Sequence, residues 1–365
     1  MKIALIAPLY EAVPPQAYGG TERVIAGLAD SLVRRGHDVT LFAAGGSRTS
    51  ARLVAMSSAP LRRSMSREQL VEVSQHLHLH MLAEVYRRAD EFDVVHAHTD
   101  ILTLPFVRFT DVPTVITLHG RLDLDVLQQT VPLYLDVPLV SISDSQRAPL
   151  DSVATNWVGT CPNGLPLDDY LSAERGDGDY LAFVGRITED KHVDWAVEVA
   201  RRAGLPLRVA AKIDPVDEEY WQSTIRPLFD RCGVDFLGEL EESQKPAFLA
   251  GARAMLFPID WPEPFGLVMI ESLAAGTPVI AMRRGSVPEV IEHGVSGSIC
   301  DSIDEMVAAV HDVGRISPEA CRRRARRFTS DRMTEDYLDV YESVIAANRE
   351  RRHATPTPGP DSGVR

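Results

Sequence analysis

The stretch AMLFPIDWPEPFGLVMIE, residues 254–271, decides how the chain folds. Ala254–Phe257 has the length and composition of a buried strand. Pro258 and Pro262 punctuate the connection that follows. Pro264 suits a first helical turn, and the apolar residues after it read as a helix that ends near Gly276. A strand feeding a helix aims backbone N–H groups at a point where an anion can sit. Phe265, Gly266 and Leu267 occupy that terminus and are expected to cap a diphosphate. Glu263 lies just before the helix and Glu271 about two turns in, roughly 12 Å along a helical axis. Two carboxylates so spaced suit the two ends of an elongated ligand. A buried helix with two incidental acids fits the spacing equally well.

Strands and helices alternate outward from this segment. Residues 2–7, 39–42, 92–96, 114–118 and 137–142 read as strands, and the last closes a first series. Between the first two, Val24, Leu28 and Leu32 form a helical stripe over 20–35, which Gly36 terminates. A second series has strands at 180–184, 207–210, 234–237, 254–257 and 278–281. The repetition predicts parallel sheets with crossover helices. The fold class is therefore α/β, two Rossmann-like domains facing each other across an interdomain cleft. The Pro-, Gly- and Asp-rich stretch 162–179 is the expected linker. Residues 1–165 form the first domain and 166–330 the second. A helix over 331–352 returns to brace the first domain, and the polar tail 353–365 is expected to be disordered.

Composition narrows the partners. The net charge of -14 disfavours a broad basic surface for nucleic acid or anionic lipid. No apolar run approaches the roughly 18 residues of a membrane span, so no stable membrane insertion is expected. MKIALIAPLY lacks a cleavage pattern and reads as a first strand rather than a signal peptide. Cys161, Cys232, Cys300 and Cys321 show neither a CxxC pair nor metal-ligand spacing, which suits reduced thiols in a cytoplasmic protein. His76, His78 and His80 alternate along a helix and so point in different directions. Asp123 and Asp125 lack the flanks of a sugar-nucleotide metal motif. No metal and no cofactor are expected.

Three further motifs end strands, where ligands collect in α/β sheets. Phe183-Val184-Gly185-Arg186 with Lys191 offers a planar fork and a point charge to phosphate oxygens. Tyr18-Gly19-Gly20-Thr21-Glu22 lets backbone approach a ligand closely. Thr117-Leu118-His119-Gly120 directs His119 toward the cleft, and His96 and His98 end another strand of the same domain. Each of these alone is also an ordinary turn, ion pair or core histidine.

Taken together, the Glu-x7-Glu segment, the Gly-Arg with its downstream Lys, the Gly-Gly loop and Gly285-Ser286-Val287-Pro288-Glu289 resemble the retaining glycosyltransferases of family 4. That family has the GT-B fold and belongs with glycogen synthases and phosphatidylinositol mannosyltransferases. The resemblance runs from residue 1 to about 350. It implies a hexosyltransferase that uses a nucleotide-sugar donor as substrate, a UDP-sugar first and GDP-mannose second. Arg186 and Lys191, beside Gly185, would hold the donor diphosphate. Glu263 would contact sugar hydroxyls and Glu271 the ribose. Backbone at Phe265, Gly266 and Leu267 would bind sugar and phosphates, with Gly20 near the phosphate and His119 near sugar and acceptor. The loop 238–240, with Leu240, would lie near the base. Arg186, Lys191, Glu263 and His119 form the expected catalytic set.

The resemblance also implies Ser141–Ser145 as strand-end serines and Asn163-Gly164 as the interdomain turn. Three positions depart from the family's usual residues: His192 for Gly after the lysine, Ala211 before Lys212, and Ser298 for an aromatic residue. The acceptor is expected to be a small-molecule or glycan hydroxyl bound by Val13–Gly20, 60–80 and 119–135. The PPQAYGGTE loop resembles a branch of that family whose acceptors include small molecules such as pterins. A homodimer is compatible with this reading. A sugar-nucleotide epimerase and a non-catalytic nucleotide-sugar binder remain open as alternatives.

Overall fold

The computed structural model describes residues 1–16 and 19–354, with side chains to 352. Tyr18 of the Gly-Gly loop and the tail from residue 355 lie outside the described residues. Two parallel sheets organise the chain. The first runs β3-β2-β1-β4-β5-β6-β7, with β1 Lys2–Ile6, β2 Asp38–Ala44, β3 Arg52–Ser57, β4 Val94–Ala97, β5 Thr114–Thr117, β6 Leu139–Ser141 and β7 Trp157–Thr160. The second runs β10-β9-β8-β11-β12-β13, with β8 Leu181–Arg186, β9 Leu207–Lys212, β10 Asp235–Gly238, β11 Ala254–Phe257, β12 Val279–Met282 and β13 Gly297–Cys300. Helices cover both faces of a parallel sheet, which explains why β4, β5, β11, β12 and, after the exposed Lys2, β1 are short runs of buried side chains rather than alternating ones.

Strand order reverses beside β1 in the first sheet and beside β8 in the second. Such switch points leave a crevice at the carboxyl ends of the strands. The loop after β1, the end of β8 and the end of β11 therefore converge on one cleft between the sheets.

The connection between the halves is made twice, side by side. Leu165 N donates to Phe328 O and Ser330 N to Leu165 O, both at 3.0 Å. Gly164 is needed there because a Cβ would collide with the Thr329 backbone. The closing helix Ser330–Ala354 lies against the helix Gly20–Arg34, anchored by Ser31 Oγ and Arg34 on Asp331 at 2.6 and 2.7 Å. It buries Tyr337 and Tyr341 completely beneath the first sheet's strand ends.

The structure corrects the sequence reading in several places. Strand β7 lies beyond 137–142, so that segment does not close the first sheet. Strands β3 and β13 were also not anticipated. Strand β3 is a half-exposed edge, β7 is interrupted by Gly159, and β13 is the short run Gly-Ser-Ile-Cys, so none carries a buried apolar run. Pro264 is not in a first helical turn, because the helix starts at Leu267 with Gly266 at φ 77° before it. Glu263 consequently sits in the preceding turn, and its distance from Glu271 is not a helical rise.

Candidate active site

The cleft has a volume of about 350 Å³ and receives side chains from both sheets. Gly19, Gly20, Thr21, Arg23, His119 and Asn163 come from the first half. Gly185, Arg186, Lys191, Lys212, Leu240, Lys245, Trp261, Glu263, Phe265, Gly266, Leu267 and Glu271 come from the second. The residues expected around the donor, with His119, thus line one cavity, whereas of the described residues in the expected acceptor segments only Gly19, Gly20, His119 and Gly120 do so and none of 60–80.

Its floor is cationic. Parallel register pairs Gly185 with Ala211 and Arg186 with Lys212, so two basic side chains leave adjacent strand ends together. Asp214 lies between them, 3.6 Å from Arg186 and 3.0 Å from Lys212. Lys212 was not anticipated. A Lys at the end of a predicted strand next to Gly-Arg was the available signal, but the order of the strands was needed to use it. Lys191 forms an ion pair with Glu263 and lies over the Trp261 ring at 4.8 Å. His192 follows at φ 47°, the left-handed conformation that glycine adopts freely. Its ring stacks on Trp195 at 3.8 Å. The chain thus keeps the left-handed turn after Lys191 without a glycine.

Beside Lys191, the segment 262–266 is clamped from both halves. Ser286 N donates to Glu263 O at 3.0 Å and Ser286 Oγ to Phe265 O at 2.8 Å. Ser143 Oγ reaches from the first half to Pro264 O at 2.7 Å. Gly285 packs directly beneath the Glu263 backbone, where any Cβ would collide. Glu289 completes the contact by accepting from Asp144 N and Ser145 N at 2.8 Å each. The Gly285–Glu289 turn therefore holds Glu263 and the amides before Leu267 in place.

His119 half-faces the cleft. Its backbone N donates to Asp100 Oδ1 at 3.0 Å, and its Nε2 lies 2.8 Å from His98 Nδ1. His96 behind them bonds Tyr341 at 2.6 Å and Thr117 at 2.8 Å. Burial pushes His119 down to about 4 and His96 down to about 3, with nearby His119 also depressing His96. The cluster is neutral at physiological pH and offers tautomeric N–H and N: groups rather than charge.

His78 is a core residue, with Nε2 accepting from Leu9 N at 3.0 Å and Nδ1 bonded to Ser74 O at 2.7 Å. His76 is exposed on the same helix. Among the described residues no group of three or more His, Cys, Asp or Glu could hold a metal ion.

Two buried polar atoms on the cleft residues, Trp261 Nε1 and Asn163 Oδ1, have no hydrogen-bond partner. A buried donor and acceptor left unmade cost free energy unless a ligand or water meets them. Glu271 is 2% exposed and is paired with Arg23 and Lys245. Neither basic residue is marked by its local sequence: Arg23 is 248 residues from Glu271, and Lys245 is on a different helix of the second half.

The chain matches two known families. The family of Glycosyl transferases group 1 matches residues 172–327, and Glycosyltransferase Family 4 matches residues 18–144. A glycogen synthase of Mycobacterium tuberculosis is 27% identical, over 98% of this chain and 97% of that protein. A phosphatidyl-myo-inositol mannosyltransferase of Mycobacterium leprae is 26% identical, over 95% of this chain and 98% of that protein. The structure of HepE from Anabaena in complex with UDP-glucose has the same fold, with a TM-score of 0.69 at 18% identity over 94% of this chain and 100% of that one. No helix among the described residues is long and apolar enough to cross a membrane.

Proposed function

The chain is a glycosyltransferase of the GT-B fold and of the family-4 kind, and on that premise we propose that it moves a hexose with retention from a nucleotide sugar to a small-molecule hydroxyl. UDP-sugars come first as donors because the Anabaena protein of the same fold binds UDP-glucose. GDP-mannose comes second because one relative is named a mannosyltransferase. The reaction is metal-independent in this proposal, with protein cations neutralising the diphosphate. It takes place in the cytoplasm.

The observation that carries the reading is the concentration of Arg186, Lys191 and Lys212 in one cleft together with the N-terminus of the helix that starts at Leu267. As the bond from the anomeric carbon to the diphosphate breaks, negative charge grows on the leaving oxygen. Preorganised cations and amides at that point lower the barrier. Arg186 and Lys212 are held ready by Asp214, and Lys191 by Glu263. The unpartnered Trp261 N–H and Asn163 carbonyl offer a donor and an acceptor to ligand hydroxyls. In the retaining step the acceptor oxygen forms its bond to the anomeric carbon on the face the diphosphate leaves. The acceptor's proton passes to the departing phosphate oxygen, so no enzyme carboxylate need be alkylated.

The test is transfer from UDP-glucose, UDP-N-acetylglucosamine and GDP-mannose to a panel of small hydroxyl acceptors, with the product anomer read by NMR. An axial product from an axial donor supports retention. An inverted product, or a trapped glycosyl-enzyme, refutes the same-face route. Free isomerised sugar without acceptor refutes transfer itself.

A further inference from the structure

We propose that Arg23 and Lys245 are positioning residues for the donor's nucleoside: they hold one oxygen of Glu271 and leave the other for the ribose hydroxyls. The proposal rests on the reading of Glu271 as the ribose ligand. Arg23 Nη1 donates to Glu271 Oε1 at 2.8 Å, and Lys245 Nζ lies 3.6 Å from the same oxygen. Oε2 receives no hydrogen bond among the described residues, although Glu271 lines the cleft. An ionised carboxylate only accepts, so this oxygen is matched to a hydroxyl donor.

The two cations are themselves fixed. Glu242 Oε2 takes Arg23 Nη2 at 2.7 Å and Lys245 Nζ at 2.9 Å. Tyr170 OH donates to Glu242 Oε1 at 2.6 Å. Two carboxylates and two cations therefore close a charge-balanced ring. Burial opposes the charge on Arg23, but Glu271 and then Glu242 outweigh it and its pKa is raised. Burial likewise pushes Glu242 up, but Arg23 and then Lys245 outweigh it and leave its pKa lowered.

Removing Arg23 would leave the buried Glu271 carboxylate and the partly exposed Glu242 carboxylate facing one ammonium, an arrangement in which the buried carboxylate is repelled or takes up a proton. A protonated or displaced Glu271 no longer presents a fixed acceptor. Arg23 also belongs to the helix Gly20–Arg34 of the first sheet, whereas the other members come from the second half. The grip on the nucleoside is thereby made to depend on the first half being seated on the second.

The test compares ligands rather than only variants. Calorimetric titration would use whichever of UDP, GDP and ADP binds the wild type most tightly, and its 2′,3′-dideoxy analogue. Wild type should prefer the ribose form by about tenfold or more, as expected for a hydrogen bond to a charged group. Arg23→Met and Lys245→Met should each shrink this preference toward unity, with the dideoxy analogue losing little affinity. Arg23→Lys should restore part of it. Circular dichroism and the second variant guard against simple misfolding. Equal weakening of both ligands by both variants, with the preference intact, makes the cations merely structural and overturns the proposal. Retention of the preference in Glu271→Gln instead overturns the ribose reading beneath it, as does binding of none of the three nucleotides.

Discussion

Replacing Glu22 by Gln should stabilise the protein, and the gain should grow with pH. Glu22 is 5% exposed on the helix Gly20–Arg34. Its carboxylate lies 3.2 Å from where a Cβ on Gly19 would stand. Burial, with Glu11 adding repulsion and a backbone N–H and Arg62 opposing, pushes its pKa up to about 7 from an ordinary 4.5. The unfolded chain releases this proton near 4.5, whereas the folded chain keeps it to about 7. Between those values the native state binds more protons, so stability falls as pH rises and levels off above 7. A shift of that size corresponds to about 3 kcal/mol. Gln carries no charge to desolvate. The stability of Glu22→Gln relative to wild type should therefore increase by about 2–3 kcal/mol from pH 5 to pH 8. Urea unfolding followed by tryptophan fluorescence at the two pH values reads this difference, and contributions common to both proteins cancel. An equal difference at both pH values would refute the argument that Glu22 is buried at the expense of its ionisation.

Lys191→Met should lower kcat by roughly a hundredfold, since one unit charge about 5 Å from the leaving phosphate contributes about 3 kcal/mol at an effective dielectric of about 20. Steady-state kinetics within threefold of wild type would remove Lys191 from the chemistry. Acid should destabilise the protein through the histidine cluster. His96 and His119 stay neutral in the folded chain to about 3 and about 4, whereas the unfolded chain protonates them below 6.5. Stability should thus fall as pH drops from 6.5 toward 4, by about 1.4 kcal/mol per pH unit per histidine, and His96→Gln should show a shallower slope in the same unfolding assay. Gly285→Ala, which puts a methyl group against the Glu263 backbone, should cost about 1–3 kcal/mol in unfolding experiments and reduce turnover more than Ala substitution at exposed Gly314.

Much of this architecture was legible because buried parallel strands are short apolar runs bounded by turn residues. Ala254–Phe257 needed only its own composition, and the reading coincides with β11. Edge strands carry less of that signal. Strand β3 exposes or half-exposes every residue, so Arg52–Ser57 resembles a loop in sequence. The start of the helix at Leu267 was obscured because Pro264 fits a helical first turn, yet Gly266 turns left-handed and begins the helix later. Arg186 and Lys191 could be read from local context. Arg23 could not, since its partner Glu271 lies 248 residues away. Lys212 required knowing that β9 lies beside β8 in register. Local sequence thus marks the groups that leave strand ends, while pairing between halves appears only in three dimensions.

A cleft built for a nucleoside diphosphate sugar should be stabilised by the nucleotide it binds. The most direct test is thermal unfolding of wild type and Glu271→Ala with UDP, GDP, ADP and their hexose conjugates. A ligand that binds the native state must stabilise it, by about 2.7 kcal/mol at a concentration a hundred times its Kd. One nucleotide class should raise the Tm of the wild type and have little effect on the variant. An unchanged wild-type Tm with every nucleotide, or equal stabilisation of both proteins, would contradict this assignment of the cleft.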